Sequence, residues 1–150
     1  MNAEQMELAR RFVACKGWVW LPGMAAASKH EDEQGGPTYR IVHVYRGGLL
    51  AFSGWVNPLG EEETYDIGLL ECVPDLSDSL TRAGLLEVVR RAWGCHVWTA
   101  PYVQWTPDGD VHWFMAEVPV AAYYDAGRAR FNGPSELHAL LAALEAAPHA

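Results

Sequence analysis

Apolar residues recur at helical spacing near the start of the chain: Met6, Leu8, Ala9, Phe12 and Val13. This predicts a helix from about Ala3 to Cys15, capped by Asn2 and stopped by Gly17. Trp18-Val19-Trp20-Leu21 reads as a short strand, broken by Pro22-Gly23. Ala25 to Pro37 is polar and Gly-rich and reads as a surface loop. From Thr38 to Arg46 the chain alternates, with Tyr39, Ile41, His43 and Tyr45 set against Thr38, Arg40, Val42, Val44 and Arg46. That is a half-buried strand. Gly47-Gly48 is a turn signal, so Leu49 to Val56 returns as its hairpin partner. Asn57-Pro58-Leu59-Gly60 closes that strand, and Glu61-Glu62-Glu63 stays in water, because adjacent carboxylates are costly to bury. Tyr65 to Val73 reads as either a strand or an irregular link.

Helical spacing resumes from Ser79 to Trp93, where Leu85, Leu86, Val89, Ala92 and Trp93 share a side. Asp78 or Ser77 caps this helix and Gly94 ends it. Gly84 inside it costs about 1 kcal/mol relative to Ala, and close packing on a sheet would explain its presence. Val97 to Trp105 and Val111 to Val118 form the clearest hairpin, with Asp108-Gly109 as its turn. A two-residue turn there sets Trp105 opposite His112 and Gln104 opposite Trp113. One hairpin face then holds Val97, Val103, Trp105, His112, Phe114, Ala116 and Val118, and reads as core. The other holds Trp98, Tyr102, Gln104, Val111, Trp113, Met115 and Glu117, and is either covered by a helix or left as a binding surface. Ala121 to Phe131 has room for a last strand before Asn132-Gly133-Pro134 breaks it. A closing helix runs from about Ser135 to Ala146, with Leu137, Leu140, Leu141 and Leu144 on one face. The expected fold is a single α+β domain over residues 1–150: a mainly antiparallel sheet of five or six strands with three helices.

Composition narrows the classes of function. Half of the 150 residues are hydrophobic and 20% are charged, which suits a globular domain with a real core. No apolar run reaches the ~18 residues of a membrane span. Glu4, Glu7, Arg10 and Arg11 stand where a secretory signal would need a basic start and an apolar run. The three cysteines, Cys15, Cys72 and Cys95, are odd in number and scattered, as expected of reduced thiols. A cytoplasmic location follows as the expectation. The net charge of −8 argues against direct nucleic-acid binding through phosphates.

Candidate chemistry is sparse. No nucleophile elbow and no phosphate-cradling glycine loop occurs in the sequence. Cys95 and His96 are neighbours in an extended segment, so their side chains diverge and neither serves the other as base. The six histidines show no paired ligand spacing. Asp75 and Asp78, with Asp66, offer carboxylates for a cation, but turn formation and capping explain their spacing before a helix better. We therefore expect no catalytic residues, no metal and no cofactor. The unusual feature is the content of tryptophan, seven in all, a residue enriched at interface hot spots.

The segment from Pro74 to Gly94 carries Pro74, Asp75, Leu76, Asp78, Thr81, Gly84, Leu85, Leu86, Arg90, Ala92, Trp93 and Gly94. Together with Trp20, Pro22, Gly23 and Met24, and with the closing Ala- and Leu-rich helix, it resembles a group of small uncharacterised phage and prophage proteins. The resemblance covers about a third of the chain and implies a phage origin without a mechanism. The expectation that follows is a small acidic interaction protein that binds a host protein in the host cytoplasm, an antagonist of a host defence system being one version. Trp98, Tyr102, Trp113 and Met115 would anchor it, and the clusters Glu31-Asp32-Glu33 and Glu61-Glu62-Glu63 would enter a basic nucleic-acid groove on the partner. Two alternatives stay open. One is a small-ligand-binding or hydrolytic domain with a pocket at the sheet edge and His43, His112 or Glu117 as polar groups; the other is a phage structural or assembly component.

Overall fold

Three helices and eight strands carry the described residues, and every strand pairing is antiparallel. The computed structural model describes residues 1–28, 38–45, 48–56, 62–66, 72–119 and 128–148. In chain order the elements are α1 (Ala3–Ala14), β1 (Ala25–Ser28), β2 (Thr38–Tyr45), β3 (Gly48–Val56), β4 (Glu62–Asp66), β5 (Cys72–Pro74), α2 (Ser79–Trp93), β6 (Trp98–Thr106), β7 (Gly109–Pro119), β8 (Arg128–Gly133) and α3 (Glu136–Glu145). The α+β class and the three helices stand as expected. The single sheet of five or six strands does not: one sheet has five strands in the order β4-β3-β2-β1-β5, and a separate one has three, β6-β7-β8. The hairpins suggested one sheet, but β5 turns back to pair with β1, and among the described residues the strands after α2 pair only with one another. Two compact units result, Met1–Val13 with Val19–Gly84, and Ala14–Trp18 with Leu85–Ala150.

In the first unit, α1 begins with a reciprocal cap. Gln5 N donates to Asn2 Oδ1 at 2.8 Å, and Asn2 N donates to Gln5 Oε1 at 3.0 Å. Leu8, Ala9 and Phe12 are its buried residues. Trp18 to Leu21 forms no strand; a turn follows at Leu21–Met24, with Met24 N donating to Leu21 O at 3.2 Å and Gly23 at φ 90°. Pro at the second and Gly at the third turn position are what a type II turn requires. The strand lies further on, at Ala25–Ser28, where a loop is predicted from sequence. Alanine has little β propensity and gives no alternation. Ala25, Ala26 and Ala27 are nonetheless buried, because β2 takes one edge and β5 the other. Gly84 explains itself here: a Cβ at that position would lie 2.7 Å from Met24 Cε.

The capping region before α2 is polar and closed. Asp75 accepts from Ser77 N at 2.9 Å, an Asx turn that aims the chain. Asp78 caps α2, accepting from Thr81 N at 2.8 Å and from Thr81 Oγ1 at 2.9 Å. Arg40 of β2 grips the same carboxylate with two N–H groups, at 2.9 and 3.0 Å, and donates to Gly23 O at 2.8 Å. Thr81, fully buried, accepts from Ala25 N at 2.8 Å and so ties the helix start to β1. Asp75, Asp78 and Thr81 thus act as turn, cap and tether. Burial raises the Asp78 pKa, but the hydrogen bonds from Arg40 and Thr81 outweigh it and hold the carboxyl below the ordinary aspartate range.

In the second unit, α2 ends at Trp93 in a Schellman motif. Cys95 N donates to Arg90 O and Gly94 N to Arg91 O, both at 3.2 Å, with Gly94 at φ 61°. α3 starts at the N-cap Ser135 and buries Ala139, Leu140, Leu141, Ala143 and Leu144. It packs on one face of the β6-β7-β8 sheet. Gly133 makes this approach feasible, since a Cβ there would lie 2.4 Å from His138 Cβ and 2.8 Å from Ala139 N. Thr99 Oγ1 donates to Glu136 Oε1 at 2.5 Å, and Trp93 donates its indole N–H to Ala143 O at 2.8 Å while its ring lies 5.8 Å from that of Phe131.

Candidate functional site

The β6–β7 register differs from the sequence expectation by two residues. Trp105 pairs with Asp110 and Gln104 with Val111, so the turn is Pro107-Asp108. The reason is Pro107, whose ring holds φ near −65°. A type I′ Asp-Gly turn would need Asp108 at positive φ, whereas only Gly109 adopts one in this turn, at 127°. Because side chains alternate with a period of two, a slip of two leaves both faces with their expected members.

α3 lies on the face of Thr99, Phe114, Ala116, Val118, Phe131 and Gly133, and there Ala116, Val118 and Gly133 are buried. The expectation that this whole face is core fails toward the hairpin tip. Val103 is 44% exposed and His112 is exposed. A ten-residue helix spans roughly 15 Å, less than half the length of an eleven-residue strand such as β7.

The opposite face gathers the candidate partner-binding residues. Trp98 pairs with Glu117, Ala100 with Met115, and Tyr102 with Trp113, on successive same-face rungs. Trp98, Tyr102, Trp113 and Met115 are all partly exposed. β8 completes the face with Asn132 opposite Met115, Arg130 opposite Glu117, and Arg128 opposite Pro119. Glu117 is 3% exposed, a burial no carboxylate bears unpaired. Arg128 Nη1 donates to its Oε1 at 2.8 Å, and Arg130 Nε stands 3.5 Å from its Oε2. The two arginine side chains are 55% and 62% exposed. Arg128 reaches across β7, since its guanidinium carbon lies 5.4 Å from the centre of the Trp98 ring on β6. The His96 ring is 6.3 Å from that of Trp98.

Arg128 and Arg130 are the residues that sequence reasoning missed. Their alternation with Ala129 and Phe131 was the signal, in a segment left undecided between strand and irregular chain. The acidic clusters fare differently. Glu31, Asp32, Glu33 and Glu61 lie outside the described residues, and Glu62 and Glu63 begin β4.

The remaining candidates have structural explanations. Asp78 is occupied as a cap and Asp75 in an Asx turn, and among the described residues no group of three or more His, Cys, Asp or Glu is placed to hold a metal. His43 and His112 lie on different sheets. Cys95 closes the α2 terminus, and His96 is exposed beside Trp98. Burial pushes the Cys72 thiol pKa up, away from the reactive thiolate. Ser135 Oγ is 2.8 Å from His138 Nδ1, but that pair closes the first turn of α3. No helix among the described residues is long and apolar enough to cross a membrane. No protein-family model, curated protein or solved structure matches this chain.

Proposed function

We propose that this chain is a non-enzymatic interaction protein and that the β6-β7-β8 face bearing Trp98, Tyr102, Trp113 and Met115 seats a partner protein. The observation that carries this reading is that four large amphipathic or apolar side chains lie partly exposed on adjoining rungs, while α3 occupies the opposite face. Aromatic anchors of this kind supply most of the energy of protein interfaces. Rigid strands hold them at fixed spacing, so little ordering is lost on binding. The resemblance to phage and prophage proteins makes a bacterial host protein the class of partner to seek.

The test compares the native chain with a Trp98→Ala, Trp113→Ala variant whose fold is verified by circular dichroism. Both are immobilised in bacterial host lysate, and any stoichiometric partner is purified and titrated by calorimetry. The expected result is a partner bound by the native chain at least about thirtyfold more tightly than by the variant, the ~2 kcal/mol of an anchor pair. Equal affinity for both would reject this face as the binding surface.

A further inference from the structure

Resting on the reading of this face as an interface, we infer that its partner presents an extended acidic segment, with carboxylates placed on Arg128 and Arg130 and apolar side chains laid on Met115, Trp113 and Tyr102. Glu117 is the reason the two arginines are so placed. It is buried on the middle strand, and it draws Arg128 and Arg130 together from the neighbouring strand β8. Arg128 is further fixed by lying over Trp98. Among the described residues these contacts use one nitrogen of each guanidinium, and both side chains remain more than half exposed. Among the described residues, two arginines against one carboxylate leave a local excess of one positive charge, in a chain whose total is −8. The surface is therefore a small cationic spot beside a strip of aromatic rings.

Its dimensions select the ligand. Arg128 and Arg130 are alternate residues of one strand and share a face. Their Cα atoms are roughly 7 Å apart, the repeat at which an extended peptide presents alternate side chains. Guanidinium forks match carboxylates in geometry as well as charge. A polynucleotide also carries anions and stacks on aromatic rings, but it needs a longer row of cations than this pair, and the net charge of −8 repels its whole length. A segment with one or two carboxylates avoids that repulsion.

The experiment uses the full chain with its tryptophan indoles 15N-labelled. Three probes are titrated: a synthetic peptide alternating Glu with Leu, its counterpart alternating Gln with Leu, and a single-stranded oligothymidylate. The Glu peptide is expected to shift the indole signals of Trp98 and Trp113 and to bind roughly tenfold more tightly than the Gln peptide at low salt, with the gap closing near about 0.5 M salt. Arg128→Gln with Arg130→Gln should erase the gap. Arg128→Lys with Arg130→Lys keeps Glu117 paired with cations, and should cost the Glu peptide about threefold through loss of the forks. Equal binding of the two peptides overturns the acidic preference while leaving the aromatic interface standing. No indole shift with either peptide also overturns it, and the partner titration above then judges the interface separately. Tighter binding of the oligothymidylate, with the same dependence on the arginines, overturns it in favour of a nucleic acid.

Discussion

The two units each contain an arginine–carboxylate cluster, and they use it in opposite ways. In the first, Arg40 and Asp78 turn inward. The carboxylate accepts from two nitrogens of Arg40, from a backbone N–H and from a hydroxyl, and Arg40 also holds Gly23 O. The partners are 36% and 17% exposed, and Thr81 beyond them is fully buried. Such a cluster fixes a helix start to a strand. In the second unit the carboxylate is the buried member, and the cations stand more than half exposed above it. Glu117 spends its charge on orienting Arg128 and Arg130, whose outer faces remain accessible. The difference lies in which partner keeps its water. A cluster whose arginine is drawn onto a helix cap and a backbone carbonyl together stabilises the fold, and one whose cations stay more than half exposed presents charge at a surface.

Substitutions separate the two clusters. Asp78→Ala removes a helix cap and leaves Arg40 without its carboxylate, so a loss of about 2–3 kcal/mol in denaturant unfolding is expected. Arg128→Gln with Arg130→Gln leaves a buried carboxylate without a cation. The arginines are well exposed, so about 2 kcal/mol is expected by the same measurement, below the range for fully buried pairs. The pH dependence follows from Asp78. Its folded pKa is depressed, so its stabilisation is complete above the unfolded value and fades as pH falls through the folded one. The stability gap between the native chain and Asp78→Asn should therefore narrow below about pH 5 and continue to close beneath the ordinary aspartate value of about 4. A gap that widened on acidification would contradict the ion pair. Glu117→Gln should have the smallest effect, below about 1 kcal/mol, because the amide still accepts a hydrogen bond and the exposed arginines lose little in water.

Parts of this organisation were legible in the sequence for identifiable reasons. α2 was bounded correctly, because Asp78 before it and Gly94 after it carry cap and stop chemistry that depends on neighbours alone. α3 was placed to within a residue at each end of the expected Ser135 to Ala146, with Ser135 standing outside it as the cap. The face of Trp98, Tyr102, Trp113 and Met115 survived an incorrect turn, since a slip of two residues preserves alternation. β1 was illegible. Ala25 to Ala27 have neither β propensity nor pattern, and only pairing on both edges makes them a strand. β8 was obscured because Asn132 and Gly133 look like a break, although Gly133 is the close approach that seats α3. With β8 undecided, the arginines had no place on the aromatic face. The electrostatic reading therefore rested on the acidic clusters, and the cationic spot was missed.

The β6-β7-β8 face bearing the aromatic residues is proposed to seat a partner. Hydrogen–deuterium exchange of the full chain, with and without the captured partner, tests it most directly. Slowed exchange on binding is expected to concentrate in residues 98–117 and 128–132. Slowed exchange confined to residues 1–84, with no change across those strands, would contradict it.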